Sequence, residues 1–512
     1  MTDRSSSAVS KPVLDPTLET PAPKLYGEVT VTQHEWGTSV WEDYDQLEML
    51  ADSGTGEIWL CQKKTDKRTV EEEDDDNDNV ISNETDARQK QLYVIKTIDK
   101  NFLSGMFAKE LRNEVDILRQ LDHPHIVRIY GVYEDLNSIY LVMEYCPGGD
   151  LTTRFPYSEA QVARIMTQVL SAVVCCHQHK VVHRDLKLEN ITWATENTVK
   201  LLDFGYAQKY RRPRGDYTMK MDVGTTYTLS PQVIEGEYSE RTDEWGVGVM
   251  AYMLLTGGTK PFDADENIRL RDEIRKGKYS MDGQGWENVS QEAKDFVSSL
   301  LEYKEEKRIT AEEALESPWL KFHDNNQEEL NESVIDTVAE ALITTVQVPK
   351  LKRLSMLILA HEAAESEIEH LRKAFAAMDS TKDGTIRLQE FQSIIQNSKT
   401  LNIGTDELTE VFQELDLNDT GAICYTDFLS ATLESMAKID KNMVAEAFDR
   451  LDVESDGVID KEDLQAVLAF DSDREAAQDR VEEILSEVDT NHSGKIGFET
   501  FSSMFDDVPK DD

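Results

Sequence analysis

The sequence predicts a mixed α/β domain followed by an all-α domain, on three observations. Between Tyr44 and about Phe322, short β-type runs such as Ile139-Tyr140-Leu141-Val142-Met143 alternate with helical patterns such as Ala160 to Cys176. From Asp324 onward the pattern is almost wholly helical, broken by Pro349. In that stretch Asp379, Asp416, Asp452 and Asp489 fall 37, 36 and 37 residues apart, the mark of a repeated structural unit.

Taken in order, residues 1–40 are rich in Ser, Thr and Pro with little periodicity and are expected to be a disordered tail. The start Met1-Thr2-Asp3 has no apolar stretch and no glycine for acylation, so neither a signal peptide nor a membrane anchor is expected. Within the α/β region, Glu71-Glu72-Glu73-Asp74-Asp75-Asp76-Asn77-Asp78 repels itself and reads as a solvated insertion over about residues 66–90. At 512 residues the chain exceeds what one core organises. Its 100 acidic and 54 basic residues give a net charge of -46, which excludes nucleic acid as a default partner and favours cations. Residues 361–512 alone hold 37 acidic and 13 basic side chains, so charge and repeat coincide. The five cysteines are scattered without a CxxC pair, which suggests no disulfide framework or zinc site and points to the cytoplasm, or else the nucleus.

In-line phosphoryl transfer needs a carboxylate to orient the attacking hydroxyl and oxygen ligands to hold magnesium on the triphosphate. In His183-Arg184-Asp185-Leu186-Lys187-Leu188-Glu189-Asn190, with Asp203-Phe204-Gly205 beyond it, Asp185 matches the first need and Asn190 and Asp203 the second. Tyr93-Val94-Ile95-Lys96 supplies a strand lysine for the α and β phosphates, and Glu114 follows as its ion-pair partner on a helical pattern. In this order and spacing, the region resembles the eukaryotic protein kinases across about residues 44–322. The resemblance implies a bilobal α+β kinase fold. It assigns Gly56, Ile58, the hinge residues Glu144 and Cys146 after the gatekeeper Met143, and the ribose contact Asp150 to the nucleotide. It makes Asp243 a brace for the catalytic loop and Leu118, Phe204 and His183 stacked core residues. Lys187, two residues past Asp185, resembles Ser/Thr rather than Tyr kinases, and Gly224-Thr225 fits the loop that receives the substrate hydroxyl. Asp216 or Asp222 is a candidate neighbour for Arg184.

Two departures stand out. Where the family carries GxGxxG this chain has Ala51 and Ser53 at the first two glycines and only Gly56 at the third, which should weaken nucleotide affinity. Where it carries APE, Gln232 replaces the carboxylate expected to pair with Arg308. The charge-bearing groups all remain, so an active enzyme is expected. The alternative is a calcium-responsive binding or scaffold protein with an idle kinase fold.

An EF-hand loop sets oxygen ligands at positions 1, 3, 5, 7 and 12 around a glycine at 6. Residues 379–390 offer Asp379, Thr381, Asp383, the Thr385 backbone and Glu390. Residues 416–427 offer Asp416, Asn418, Thr420, Ala422 and Asp427, and residues 452–463 offer Asp452, Glu454, Asp456, Val458 and Asp463. Both end in Asp, whose shorter arm should bind calcium more weakly. Residues 489–500 offer Asp489, Asn491, Ser493 and Lys495, but end in Thr500.

A kinase followed by four EF-hands resembles the calcium-dependent protein kinases of plants and protists. The resemblance implies ATP, magnesium and calcium as cofactors, protein substrates with basic residues near the acceptor, a monomer, and a calmodulin-like domain over residues 371–512. Residues 323–370 become a junction in which Lys350-Leu351-Lys352-Arg353-Leu354-Ser355-Met356-Leu357 has the basic and apolar mixture of a segment that blocks the cleft at low calcium. The other reading, an amphipathic helix packed on the EF-hands, is compatible with it as the alternate state. Ser355, after Lys352 and Arg353, looks like a phosphoacceptor.

Overall fold

The computed structural model describes residues 33–36, 39–52, 56–64, 91–102, 113–210, 224–283, 285–324, 332–397, 403–416, 420–436, 439–468, 474–489 and 492–505. The acidic insertion, Ser53, Asp216, Asp222, Asn418 and Asn491 lie outside the described residues.

Six strands, β1 (Gln33–Trp36), β2 (Tyr44–Asp52), β3 (Glu57–Lys63), β4 (Leu92–Asp99), β5 (Ile129–Glu134) and β6 (Ser138–Glu144), form one sheet in the order β1-β5-β6-β4-β3-β2. The two-residue period of β4 turns Tyr93 and Ile95 into an outer aromatic cluster with Tyr44, Tyr130 and Tyr133, leaving Lys96 on the opposite face with Ile98. That face borders the cleft. Strand β1 departs from the expected tail: residues 33–36 pair in parallel with β5, and Val40 is fully buried. The open edge of β5 offers a row of backbone donors and acceptors, and pairing to it requires no side-chain period that a sequence would display.

The helical part of the α/β domain is built around Glu159–Gln178, opened by a capping box in which Ser158 and Gln161 bond each other's backbone amides, and Arg241–Leu255, buried almost throughout. Trp245, Phe296 and Trp319 fill the core between them. The antiparallel pair Ile191–Trp193 and Val199–Leu201 returns the chain so that Asn190 and Asp203 emerge side by side, as Leu202 N donates to the Asn190 carbonyl at 2.8 Å.

The C-terminal half holds four helix-loop-helix units in two lobes. Short strands join the loops in pairs, Ile386 opposite Ile423 and Ile459 opposite Ile496. The junction helix Lys350–Glu362 is buried between the lobes, against helices Tyr425–Met436, Lys441–Leu451 and Arg474–Val488. Of the two placements weighed for this segment, the structure captures the one packed on the EF-hands.

Candidate active site and calcium loops

Lys96 Nζ lies 2.9 Å from Glu114 Oε1 and 3.8 Å from Asp203 Oδ1. Burial works against the ammonium of Lys96, but Glu114 and Asp203 outweigh it and hold its pKa above the ordinary value. Burial likewise opposes the charge on Asp203, and Lys96 reverses the shift and keeps the carboxyl below its usual range. Phe204 is buried edge-on against His183 at 4.8 Å between centroids, which locks the orientation of Asp203 beside it.

Asp185 is 1% exposed and receives a converging set of donors. Lys187 Nζ reaches Oδ2 at 2.7 Å and Asn190 Nδ2 reaches it at 3.1 Å, while Thr225 N and Oγ1 both donate to Oδ1 at 2.7 Å. With its amide nitrogen used on Asp185, Asn190 keeps its oxygen for a cation. Arg184 and Asp203 hold left-handed φ values of +69° and +57°, costly for residues with side chains. Asp243 stabilises the first of these turns by accepting from His183 N at 2.8 Å and Arg184 N at 2.9 Å. Asn190 and Asp203 therefore present oxygens on one side of the cleft, a donor set of the hard kind magnesium takes alongside substrate phosphates. Gly56 sits where a Cβ would come within 1.8 Å of the Thr97 carbonyl, so the retained glycine is required by close approach of β4. Ile58 pairs with Lys96 across the β3–β4 ladder. Asp150 accepts from Thr152 N at 2.8 Å, and Gln232 accepts from Arg308 Nη2 at 2.9 Å, so the amide preserves the hydrogen bond its position needs.

The hinge differs from a simple backbone contact. Glu144 turns its carboxylate away from the cleft toward Lys200 at 3.0 Å and Arg128 at 3.3 Å. Burial pushes this carboxyl up, yet Lys200 and Arg128 outweigh it and hold it below its ordinary range. Both cations also reach Glu365, the first residue of the helix Glu365–Met378: Lys200 at 3.3 Å, Arg128 at 3.8 Å. Arg128 further donates to the carbonyls of His361 and Ala363, capping the junction helix. Cys146 next to this group has its thiol pushed well above its ordinary value by burial. Nearby, Asp122 accepts from Thr426 N and Oγ1, both at 2.7 Å, at the start of helix Tyr425–Met436. Arg128, Lys200, Glu365 and Asp122 carry no signal in the sequence, because each alone resembles a solvated charge.

Each calcium loop folds on its first aspartate, which accepts from the glycine amide at position 6: Asp379 from Gly384 at 2.8 Å, Asp416 from Gly421 at 2.8 Å, Asp452 from Gly457 at 2.8 Å and Asp489 from Gly494 at 2.6 Å. Thr385 N donates to Asp383 Oδ1, and Glu390 accepts from Thr381 N and Arg387 N. Burial, then the nearby Asp383, pushes Asp379 up to about 7, the mark of carboxylates crowded where a cation would relieve them. In the second loop Asp427 is buried with Oδ2 lacking a hydrogen-bond partner among the described residues, Thr420 Oγ1 bonds the Ala422 carbonyl, and burial pushes the Asp427 carboxyl up. In the third loop Asp463 turns inward to accept from Glu454 N and Asp460 N, and Val458 N donates to Asp456. The fourth loop bonds Ser493 to the Lys495 carbonyl, and its Thr500 brings no carboxylate. These oxygen-rich loops fit calcium. Among the described residues no three acidic, His or Cys side chains already converge as a cage.

Lys495 also places its ammonium 3.6 Å from Asp456 and 3.8 Å from Asp460 of the third loop, a tethered cation competing for that loop's carboxylates. Exposed pairs contribute ~0.2–1 kcal/mol, so Lys495→Met is expected to tighten calcium binding there by up to about fivefold. Calorimetric titration of the full chain checks this; unchanged affinity rejects it.

Residues 79–320 match the protein kinase domain family, and residues 368–433 and 441–505 match the EF-hand domain pair. Calcium-dependent protein kinase 5 of Plasmodium falciparum (isolate 3D7) is 33% identical over 430 residues, covering 82% of this chain and 74% of that protein. Calcium-dependent protein kinase 21 of Arabidopsis thaliana is 33% identical over 423 residues, covering 80% and 77%. Both are named calcium-dependent protein kinases, and alignments over 430 and 423 residues extend through both halves of a 512-residue chain. The chain thus belongs to the calcium-dependent protein kinases and is a calcium-regulated serine/threonine kinase that takes ATP, magnesium and calcium.

Proposed function

We propose that this kinase is switched by relocation of the helix Lys350–Glu362, and that the structure corresponds to its working state. The observation that carries this reading is the burial of the helix between the EF-hand lobes. Leu351, Leu354, Leu357 and Ile358 are each at most 4% exposed. Its cations are matched by EF-hand acids: Lys350 to Glu487 at 3.0 Å, Lys352 to Glu434 at 2.8 Å and Arg353 to Glu414 at 3.4 Å. Released from that clasp, a basic apolar helix has a second acidic surface to occupy, the groove around Glu189 and Asp150. Calcium shifts the balance by favouring the clasp.

In the working state Asp185 orients the acceptor hydroxyl, Lys187 supports it and the Thr225 region, Lys96 with Glu114 holds the α and β phosphates, and Asn190 and Asp203 hold magnesium. Gly56, Ile58, the Glu144–Cys146 backbone and Asp150 enclose the nucleotide. Loops 379–390, 416–427, 452–463 and 489–500 take calcium, the last most weakly. Tyr227 Oη donates to Glu189 Oε2 at 2.5 Å, fixing a carboxylate where basic residues before the acceptor would lie. This supports a preference for basic substrates. The domains run over residues 44–322, 323–370 and 371–512. We assign the protein to the cytosol or nucleus, a placement supported by five cysteines scattered without a CxxC pair, and take it as a monomer. No helix among the described residues is long and apolar enough to cross a membrane.

Transfer of labelled phosphate from ATP to a basic peptide should rise on adding micromolar calcium and fall with chelator. Equal rates under both conditions would remove the relocating helix.

A further inference from the structure

Helix Arg241–Leu255 carries a charge that its packing does not need. Glu244 is 1% exposed, between Asp243 and Trp245. A carboxylate taken out of water is costly unless cations answer it. Its Oε1 accepts from Ala311 N at 3.2 Å and stands 3.7 Å from both His177 Nδ1 and Arg241 Nη1. The other ring nitrogen, His177 Nε2, donates to Asp243 Oδ2 at 3.0 Å. The imidazole thus has a carboxylate at each nitrogen. A neutral ring would turn a lone pair on one of them, whereas an imidazolium presents an N–H to both. Burial opposes that charge, but Glu244 and then Asp243 hold the ring up to about 9. Burial also pushes the Glu244 carboxyl up to about 7, so both partners are charged between these two values.

Arg308 draws on the same carboxylate. Its guanidinium is buried over the Trp245 ring, and its hydrogen bonds run to neutral oxygens, the carbonyls of Glu302 and Arg241 and the amide of Gln232. Burial pushes this cation down to about 10, and Glu244 is first among the charges that oppose the shift.

We propose that Glu244 is a positioning residue: from beneath the activation segment it supplies the negative charge that Gln232 lacks, and it holds His177 as the cation that steadies Asp243 under the left-handed turn at Arg184. The other titratable groups around this pair are Glu240 and Arg241 at the start of the same helix and His183 of the catalytic loop. Tyr210 adds its Oη, which donates to the His177 carbonyl at 3.1 Å, with Glu312 beyond it.

The test uses the full chain at saturating calcium, where relocation of the junction helix plays no part. Glu244→Gln removes the charge and keeps the shape. In the wild type, kcat for a basic peptide should hold level above the Glu244 value and fall as His177 loses its proton near 9. In the variant that fall should begin about one pH unit or more lower, with KM for ATP unmoved. At the wild-type midpoint the variant should retain about a fifth of the wild-type rate, each scaled to its own neutral value. Adding Gln232→Glu to Glu244→Gln should raise the melting midpoint by about 2 °C or more, because Arg308 regains a carboxylate, yet leave the alkaline fall where the single variant has it. If the single variant does not melt cooperatively, the pH profile is read on this double variant. Profiles that superimpose on the wild type overturn the role of Glu244 at His177, and a double variant no more stable than the single one overturns its role at Arg308.

Discussion

Asp185→Asn is expected to lower phosphate transfer to a basic peptide by about 10²- to 10⁴-fold, the range a positioned acid–base group supplies. Its carboxylate is buried and engaged by Lys187, Asn190 and both donors of Thr225, so its two oxygens define where an attacking hydroxyl sits. The amide is isosteric and retains an oxygen, which keeps the fold and isolates the chemistry. Initial rates at saturating ATP and calcium check it, with the calcium-induced shift in melting temperature as control. A loss below about tenfold would assign the hydroxyl's orientation to another group.

The second large effect lies behind the cleft. Glu365→Gln removes one of the two carboxylates shared by Lys200, 1% exposed, and Arg128. Removing one partner from a buried charge group costs ~3–5 kcal/mol. Docking of the calcium domain against the hinge is thus expected to weaken by about 100-fold or more. Hydrogen exchange of the full chain reads this as lost calcium-dependent protection around Ile129 and Glu144. Combining Lys200→Met with Glu365→Met should recover part of it, because one buried cation is removed along with the carboxylate, which leaves Arg128 paired with Glu144 and only Arg372 short of a partner. Unaltered protection in Glu365→Gln would show that the lobes are held by apolar contact alone.

The candidate catalytic groups are legible in the sequence because their order and spacing resemble those of the protein kinases. Lys96, Glu114, Asp185, Asn190 and Asp203 stand at intervals that few other arrangements use, and the structure brings all five to one cleft. The four loops were legible because ligand geometry dictates a glycine at the sixth place. Glu144 was only half read. Its backbone position marks the hinge, but nothing local announces that its side chain points away to Lys200, 56 residues further on. Arg128, Lys200 and Glu365 gain meaning only when remote segments meet. β1 escapes the sequence because an edge strand held by backbone pairing needs no pattern, and the junction helix stays ambiguous there because a basic, apolar run does not say which acidic surface it meets.

Gly384, at the turn of the first calcium loop, has φ +82° and lies where an added Cβ would fall 2.0 Å from the imidazole of His123. The detector is thus pressed directly onto the machine it informs. Influence across such a seam runs equally both ways. Whatever stability an ion lends to the nucleotide-loaded form, the loaded form returns to the ion, so a molecule charged with nucleotide should hold calcium more tightly than an empty one.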